Sequence, residues 1–322
     1  MEQRALAHAP FAVSAVGLGC NNFGREGTAS YTAEGTAAVV DAALDAGVAF
    51  FDTADIYGAE LGLSETLLGK ALRTRRDEAI VATKFGHIAV ETPLDELGSK
   101  GSRAYIRGAV DASRQRLGIE TIDLYQQHTP DLATPIDETL GALAELVSEG
   151  AIRAYGCSQF TTDQLHTANT AADTLGVARF ATSQDELSLI SRTVDIDGRF
   201  AAAEDGGQGF LPFFPLANGL FTGKFTRTDR PADSRIARIR PQIADEADWD
   251  VMESYQELCD ELGVTMLEAT MAWFLARPVV ASVIAGATRP QQVAANAAAG
   301  DTRLEAKSLA AIDALFPAAA EV

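Results

Sequence analysis

The chain has 322 residues, 47% hydrophobic and 22% charged, with a formal net charge of −19 and a pI near 4.6. That composition suits a globular protein whose core stands without disulfides or metal, and so acidic a surface repels phosphate backbones and anionic lipid, setting nucleic acid and membrane aside as partners. Three widely spaced cysteines, Cys20, Cys157 and Cys259, make neither a CxxC pair nor a disulfide frame and suit free thiols in a reducing cytoplasm.

In chain order, "ALAHAPFAVSAVGLGC" holds His8 and Pro10 where a secretory leader would be apolar, so a leader is not expected. No apolar run reaches the ~20 residues of a membrane span. "FAVSAVGLG" predicts a strand or hairpin entering a glycine-rich loop. "TAEGTAAVVDAALDAG" predicts a helix with Val39, Val40, Ala43 and Leu44 on one face and a stop at Gly47. The unit then repeats: "VAFFD" and "SETLLGKALR", "EAIVATK" and "RAYIRGAVDASRQRLG", "IDLYQQH" and "TPIDETLGALAELVSEG", "AIRAYGCS" and "TTDQLHTANTAADTLG". In the third of these helices Thr134 is expected as N-cap with Pro135 at N1 and Asp137 completing a capping box; in the fourth, Thr161 pairs with Gln164. "FATSQ" is a strand, followed by a less regular helical stretch around 192–204. "GFLPFFPL" is a strand, two helices follow at 249–262 and 266–276, "ASVIAG" is the last strand and "PQQVAANAAA" the last helix of the repeat. A closing helix lies around 305–314.

Eight strands, each followed by helical pattern, predict an α/β fold: a (β/α)8 barrel in a single domain over 1–322. A doubly wound open sheet would carry GxGxxG after its first strand, and "GLGCNNFG" is spaced differently. Segment 224–248 is long for a barrel loop and carries Arg227, Arg230, Arg235, Arg238 and Arg240. It reads as a lid over an anionic cofactor, or as a solvated charged loop.

Catalytic groups of such barrels stand at the C-terminal ends of the strands. Asp52 ends one strand with Tyr57 just beyond it, Lys84 ends the next and His128 the one after. Singly, each has a plainer reading: a turn cap, a packed ring, a snorkelling lysine, a structural histidine. Asp55 is read as turn or surface. Together the four make a general-acid constellation. An ammonium lowers the pKa of a neighbouring phenol, a carboxylate keeps that ammonium charged, and an imidazole holds a carbonyl oxygen. Neither an activated nucleophile nor a set of metal ligands stands beside them.

These motifs, with "FDTADIYG", "SETLLGKAL", "VATKFG", "DLYQQHTPD", "GCSQF", "PLANGLFTGK" and "VIAGATRPQQVAAN" in this order from about Val16 to Asn296, closely resemble the aldo-keto reductase family. The resemblance implies metal-free reduction of an aldehyde or ketone by NADPH, with NAD(H) as the other cofactor. Tyr57 would be the proton donor, tuned by Lys84 and Asp52, with His128 orienting the carbonyl. It further implies that Ser158, Gln159 and Gln184 hold the carboxamide and that Phe213 stacks on the nicotinamide ring. Leu216, Asn218, Gly219, Leu220, Thr222 and Lys224 would follow the pyrophosphate and ribose. Gly286, Thr288, Arg289, Gln292 and Asn296 would take the adenosine end, the helix N-terminus and Arg289 receiving a 2′-phosphate. Asn21, Asn22, Phe23, Phe85 and Phe160 are candidates for the substrate pocket.

The sequence departs from the family pattern in three places. Gln159 stands for asparagine, Gln292 for a frequent arginine, and Asp185 and Leu187 for asparagine and tyrosine. Two other readings stay open: a cofactor-sensing subunit with little turnover, as potassium-channel β-subunits resemble this family, and a barrel hydrolase using Asp52 with Asp55. A cytoplasmic monomer acting on a small carbonyl compound is the expectation.

Overall fold

The computed structural model describes residues 1–232 and 234–318. A short antiparallel hairpin, β1 (Gln3–Ala5) and β2 (Ala12–Ser14), leads into β3 (Val16–Gly19). Seven further strands follow: β4 (Phe50–Asp52), β5 (Ile80–Phe85), β6 (Ile122–Gln127), β7 (Ile152–Ser158), β8 (Thr182–Glu186), β9 (Gly209–Phe213) and β10 (Val283–Gly286). From β3 onward they are parallel and close into a barrel in the order β10-β3-β4-β5-β6-β7-β8-β9. This is the predicted (β/α)8 architecture.

Alternation along each strand divides the core into an inside and an outside. Phe50, Ala82, Leu124, Ala154, Leu211 and Ile284 come from six strands and meet in the barrel interior. Phe51, one residue on, joins the outer layer with Val81, Phe85 and Tyr125. Gly17 is required by this filling, since a Cβ there would stand 2.9 Å from both Phe50 and Ile284.

The outer helices are amphipathic for the same reason: each buries one face on the barrel. α1 (Ala33–Asp45), α2 (Leu63–Leu72), α3 (Arg103–Leu117), α4 (Ile136–Ser148) and α5 (Thr162–Leu175) cover one side. The irregular stretch after β8 forms two short helices, α6 (Thr193–Ile196) and α7 (Arg199–Asp205). Segment 224–248 is more ordered than a loop, with α8 (Arg235–Ile239) and α9 (Gln242–Asp245); its Asp233 lies outside the described residues. α10 (Trp249–Leu262), α11 (Met266–Leu275), α12 (Pro290–Ala299) and α13 (Ala306–Leu315) complete the shell.

The Thr161–Gln164 capping box forms at the start of α5. At α4 the expected cap does not form. Pro135 is the N-cap residue, without a side-chain cap bond, because the Thr134 hydroxyl is engaged by Asp131 at 2.8 Å and by Ser99 at 2.5 Å. No helix among the described residues is long and apolar enough to cross a membrane.

Candidate active site

Asp52 is the last residue of β4, and its neighbour β5 carries Lys84 beside it. Both side chains point into the barrel, being in step with inward-facing Phe50 and Ala82. Lys84 Nζ donates to Asp52 Oδ2 at 2.5 Å and to the Thr53 carbonyl at 3.0 Å. The other carboxylate oxygen, Oδ1, accepts from Gln126 Nε2 and Gln184 Nε2, each at 3.1 Å. The pair is almost wholly buried. Burial alone pulls an ammonium's pKa down, but the Asp52 carboxylate and the Tyr57 phenol outweigh it. Lys84 is held above the ordinary lysine value and stays charged.

The loop after β4 brings Tyr57 back over this pair. Lys84 Nζ lies 5.3 Å from the ring centre, and the phenol feels the charge of both Lys84 and Asp52. The expectation of a lowered phenol pKa is corrected here. Burial raises it above the ordinary tyrosine value, and the opposing effect of Lys84 is offset in part by Asp52, the same carboxylate that keeps Lys84 charged. Tyr57 is therefore a protonated phenol at neutral pH. His128, just past β6, meets the Tyr57 ring edge-on at 5.8 Å. Burial, with repulsion from Lys84 and His87, holds its imidazole well below the usual histidine range, so it is neutral. Its Nδ1 is buried without a hydrogen-bond partner.

Asp52, Tyr57 and His128 form part of the wall of a cavity of about 830 Å³ at the C-terminal mouth of the barrel. Ser158, Gln159, Gln184, Phe213, Leu216, Asn218, Gly219, Thr222 and Lys224 also line it, as do Gly286, Thr288, Arg289, Gln292 and Asn296. Asn21 and Asn22 line it too. Lys84 lies beneath the wall, behind Asp52, and four of the expected cofactor and pocket residues do not line the cavity either. Leu220 is fully buried in the outer core with Phe221. Phe23 and Phe160 pack under the helices, Phe160 against Phe180, and Phe85 stacks on Tyr125 at 4.6 Å. Phe85 follows inward-facing Lys84 and so must face outward. Asp55 is not at the surface: it is buried outside the barrel near Glu65 and Arg116 and lines no part of the cavity, which removes the paired-carboxylate reading.

The backbone is strained where the cavity is built. Gln159, Phe214, Ala217 and Asn218 have φ of 62°, 53°, 44° and 59°, a region that costs most non-glycine residues energy. Asparagine tolerates it better than glutamine does, which gives the departure at Gln159 a physical cost. In return Gln159 Nε2 donates to the His128 carbonyl at 3.1 Å and steadies that loop. Gln292 Oε1 accepts from Thr288 N, Thr288 Oγ1 and Arg289 N at 2.8, 3.1 and 3.2 Å. Two amides at the start of α12, expected to face a ligand phosphate, are thus engaged by the chain's own glutamine. Asp185 pairs with Arg199 Nη1 at 2.7 Å on the outside of the barrel, and Leu187 is buried in the core.

Sequence reasoning missed His87, Phe214 and the way segment 224–248 enters the cavity wall. Arg235 of α8 donates to Asn218 Oδ1 and to Asn22 Oδ1, each at 2.8 Å, and so joins the loops after β9 and β3. Its guanidinium is 5.5 Å from the Phe214 ring centre. Arg235, Arg238, Arg240, Lys224 and Arg289 give the cavity a cationic side in a chain of net charge −19. Burial and repulsion from Arg25, Arg240 and Arg238 push the Arg235 guanidinium down to about 10, the mark of positive charge crowded together.

The sequence profile of the Aldo/keto reductase family matches residues 15–316. The chain belongs to the aldo/keto reductase family. It is 31% identical to an L-glyceraldehyde 3-phosphate reductase of Escherichia coli (strain K12), over 97% of this chain and 92% of that one. It is 34% identical to the uncharacterized oxidoreductase YrpG of Bacillus subtilis (strain 168), over 98% and 96%. A probable voltage-gated potassium channel subunit beta of Arabidopsis thaliana is 33% identical over 80% of this chain and 79% of that one. As an aldo/keto reductase the chain is an oxidoreductase acting on small carbonyl compounds with a nicotinamide cofactor.

Proposed function

We propose that the enzyme reduces an aldehyde or ketone to the alcohol with NADPH and takes the proton from Tyr57. The observation that carries this reading is the buried Lys84–Asp52 pair beneath the Tyr57 hydroxyl, at the wall of a cavity with a cationic side. The cofactor suits these residues: the Phe213 ring would offer a face for the nicotinamide, the glycine at 219 would let backbone approach closely, and the arginines of the wall would hold phosphates. When bound, the nicotinamide supplies the hydride. The chain's own groups do the rest. His128 donates an imidazole N–H to the carbonyl oxygen and fixes its direction. Tyr57 Oη gives its proton to that oxygen as negative charge gathers there. Lys84 stabilises the phenolate left behind, and Asp52 holds Lys84 in place.

Ser158 and Gln184 are assigned to the carboxamide; Gln184, whose amide nitrogen is on Asp52, has its oxygen left to accept. Leu216, Asn218, Gly219, Thr222 and Lys224 are assigned to the pyrophosphate and ribose, and Arg289, Thr288 and Asn296 to the adenosine end. Segment 224–248 acts as a lid through Arg235. The relatives named as L-glyceraldehyde 3-phosphate reductases support an aldehyde as substrate, and the three buried free thiols support a cytoplasmic setting.

Titration of tryptophan fluorescence with NADPH and NADH, followed by turnover on an aldehyde panel, tests the reading. NADPH is expected to bind at least about tenfold more tightly, since one well-placed charge-assisted contact is worth about 1.5–3 kcal/mol. Tyr57→Phe is expected to lower kcat by about 10³ with NADPH affinity kept; wild-type turnover in that variant would refute it. A regulatory subunit is the second reading, favoured by the potassium-channel relatives. Tight NADPH binding with negligible oxidation on every carbonyl tried would establish it.

A further inference from the structure

His87 lies in the cavity wall three residues after Lys84, and nothing in the proton-transfer scheme uses it. Its ring meets that of His128 edge-on, with centres 4.8 Å apart. The position is built rather than incidental. Gly86, with φ of 75°, turns the chain out of β5. Thr129 Oγ1, next to His128, accepts from Ile88 N at 3.0 Å and donates to the Gly86 carbonyl at 3.2 Å. The loop that carries His87 is thereby tied to the loop that carries His128.

The tautomer follows from the hydrogen bonds. His87 Nδ1 accepts from Ala89 N at 3.3 Å, so in the neutral ring the proton sits on Nε2. With Nδ1 turned to its own loop, the ring presents Nε2–H to the cavity that it lines. Burial and the nearby Lys100 charge keep this ring neutral as well. Two neutral imidazole donors therefore stand side by side, one of them aimed at the carbonyl oxygen. Donors at that separation can each reach, at about 2.9 Å, one of two oxygens on adjacent carbons.

We propose that His87 is a specificity-determining residue whose Nε2–H donates to an oxygen on the carbon next to the reacting carbonyl. The preferred substrates are then 2-hydroxyaldehydes, 2-hydroxyketones and 1,2-dicarbonyl compounds rather than plain alkanals. This deepens the carbonyl-reductase reading and rests on it. Binding a hydroxyl or carbonyl here satisfies a donor that a plain alkanal leaves facing an alkyl chain, and the difference is worth about tenfold in kcat/KM.

The test compares 2-hydroxypropanal with propanal on wild-type enzyme, His87→Phe and His87→Gln, under saturating NADPH. Phenylalanine keeps an aromatic edge beside His128 but has no donor; glutamine restores one. Wild type is expected to favour 2-hydroxypropanal by about tenfold, His87→Phe to lose that preference through 2-hydroxypropanal alone, and His87→Gln to regain part of it. Thermal melting and NADPH affinity report whether each variant is folded and loaded. A His87→Phe variant that lowers both substrates alike, or neither, overturns the role of His87 while the reductase reading stands. Wild type that turns over neither of these nor any other carbonyl of the panel removes the reductase reading and this assignment with it.

Discussion

Asp52 and Asp55 belong to one short motif, and both are buried, yet they live in opposite surroundings. Asp52 faces the barrel interior and collects donors from Lys84, Gln126 and Gln184. Asp55 sits outside the same strand end. It leaves Oδ1 without a partner and faces the negative charge of Glu65. Burial and that repulsion push its carboxyl up to about 7. Asp185 lies between the two: Arg199 holds one oxygen, the other has no partner, and burial pushes its carboxyl up to about 7 as well. The comparison shows that depth alone does not decide what a buried carboxylate does. The number of donors converging on it does.

The sharpest way to break the contrast is to make Asp52 resemble Asp55. Lys84→Met strands the Asp52 carboxylate and is expected to cost about 3–5 kcal/mol of stability, read by urea unfolding. It is also expected to abolish aldehyde reduction, since the Lys84 charge beside Tyr57 is what opposes burial and would stabilise the phenolate. The reverse experiment relieves Asp55. Because its folded pKa is raised, Asp55 stays protonated in the folded chain between about pH 4 and 7 while the unfolded chain is ionised. Its contribution is present at low pH and is lost as pH climbs through about 7. Asp55→Asn is expected to flatten that decline and to raise stability at about pH 8 by on the order of 2 kcal/mol. Asp185→Asn is expected to shift stability in the same direction by less than about 1 kcal/mol, since it also costs Arg199 a charged partner. The smallest effect belongs to the imidazole above Asp52. With His128 already neutral, kcat/KM for reduction is expected to stay level from about pH 6 to 8, without the step near 6.5 of an ordinary histidine.

The barrel was legible because each strand–helix unit carries its own pattern and stop, and the meeting of Asp52, Tyr57, Lys84 and His128 at one mouth because Asp52, Lys84 and His128 stand where apolar strands end in polar residues. The same rule exposes the errors. Inward-facing Lys84 obliges Phe85 to face outward, so period two excluded Phe85 from the pocket, and apolarity alone had suggested it. Phe23, Phe160 and Leu220 lie in loops and at loop ends, where no period tells inside from outside. His87 and Arg235 were missed for a related reason. One is placed by a tether to Thr129, the other by bonds to Asn22 and Asn218 far away in the chain, and neither tether leaves a local pattern. Asp55 looked like a turn residue because burial outside the barrel depends on α2 and α3 closing over it.

The filling of the barrel interior has a consequence for traffic. Phe50, Leu124, Leu211, Ile284 and the small residues between them plug the space below Asp52, and the β1–β2 hairpin strand residue Val13 packs against them from beneath. Cofactor and carbonyl compound must therefore come and go by the same doorway. Whichever lies deeper is expected to bind first and leave last, an order that initial-rate and product-inhibition kinetics would read. An excess of the outer ligand is then expected to hinder exchange of the inner one, seen as inhibition by that ligand at high concentration.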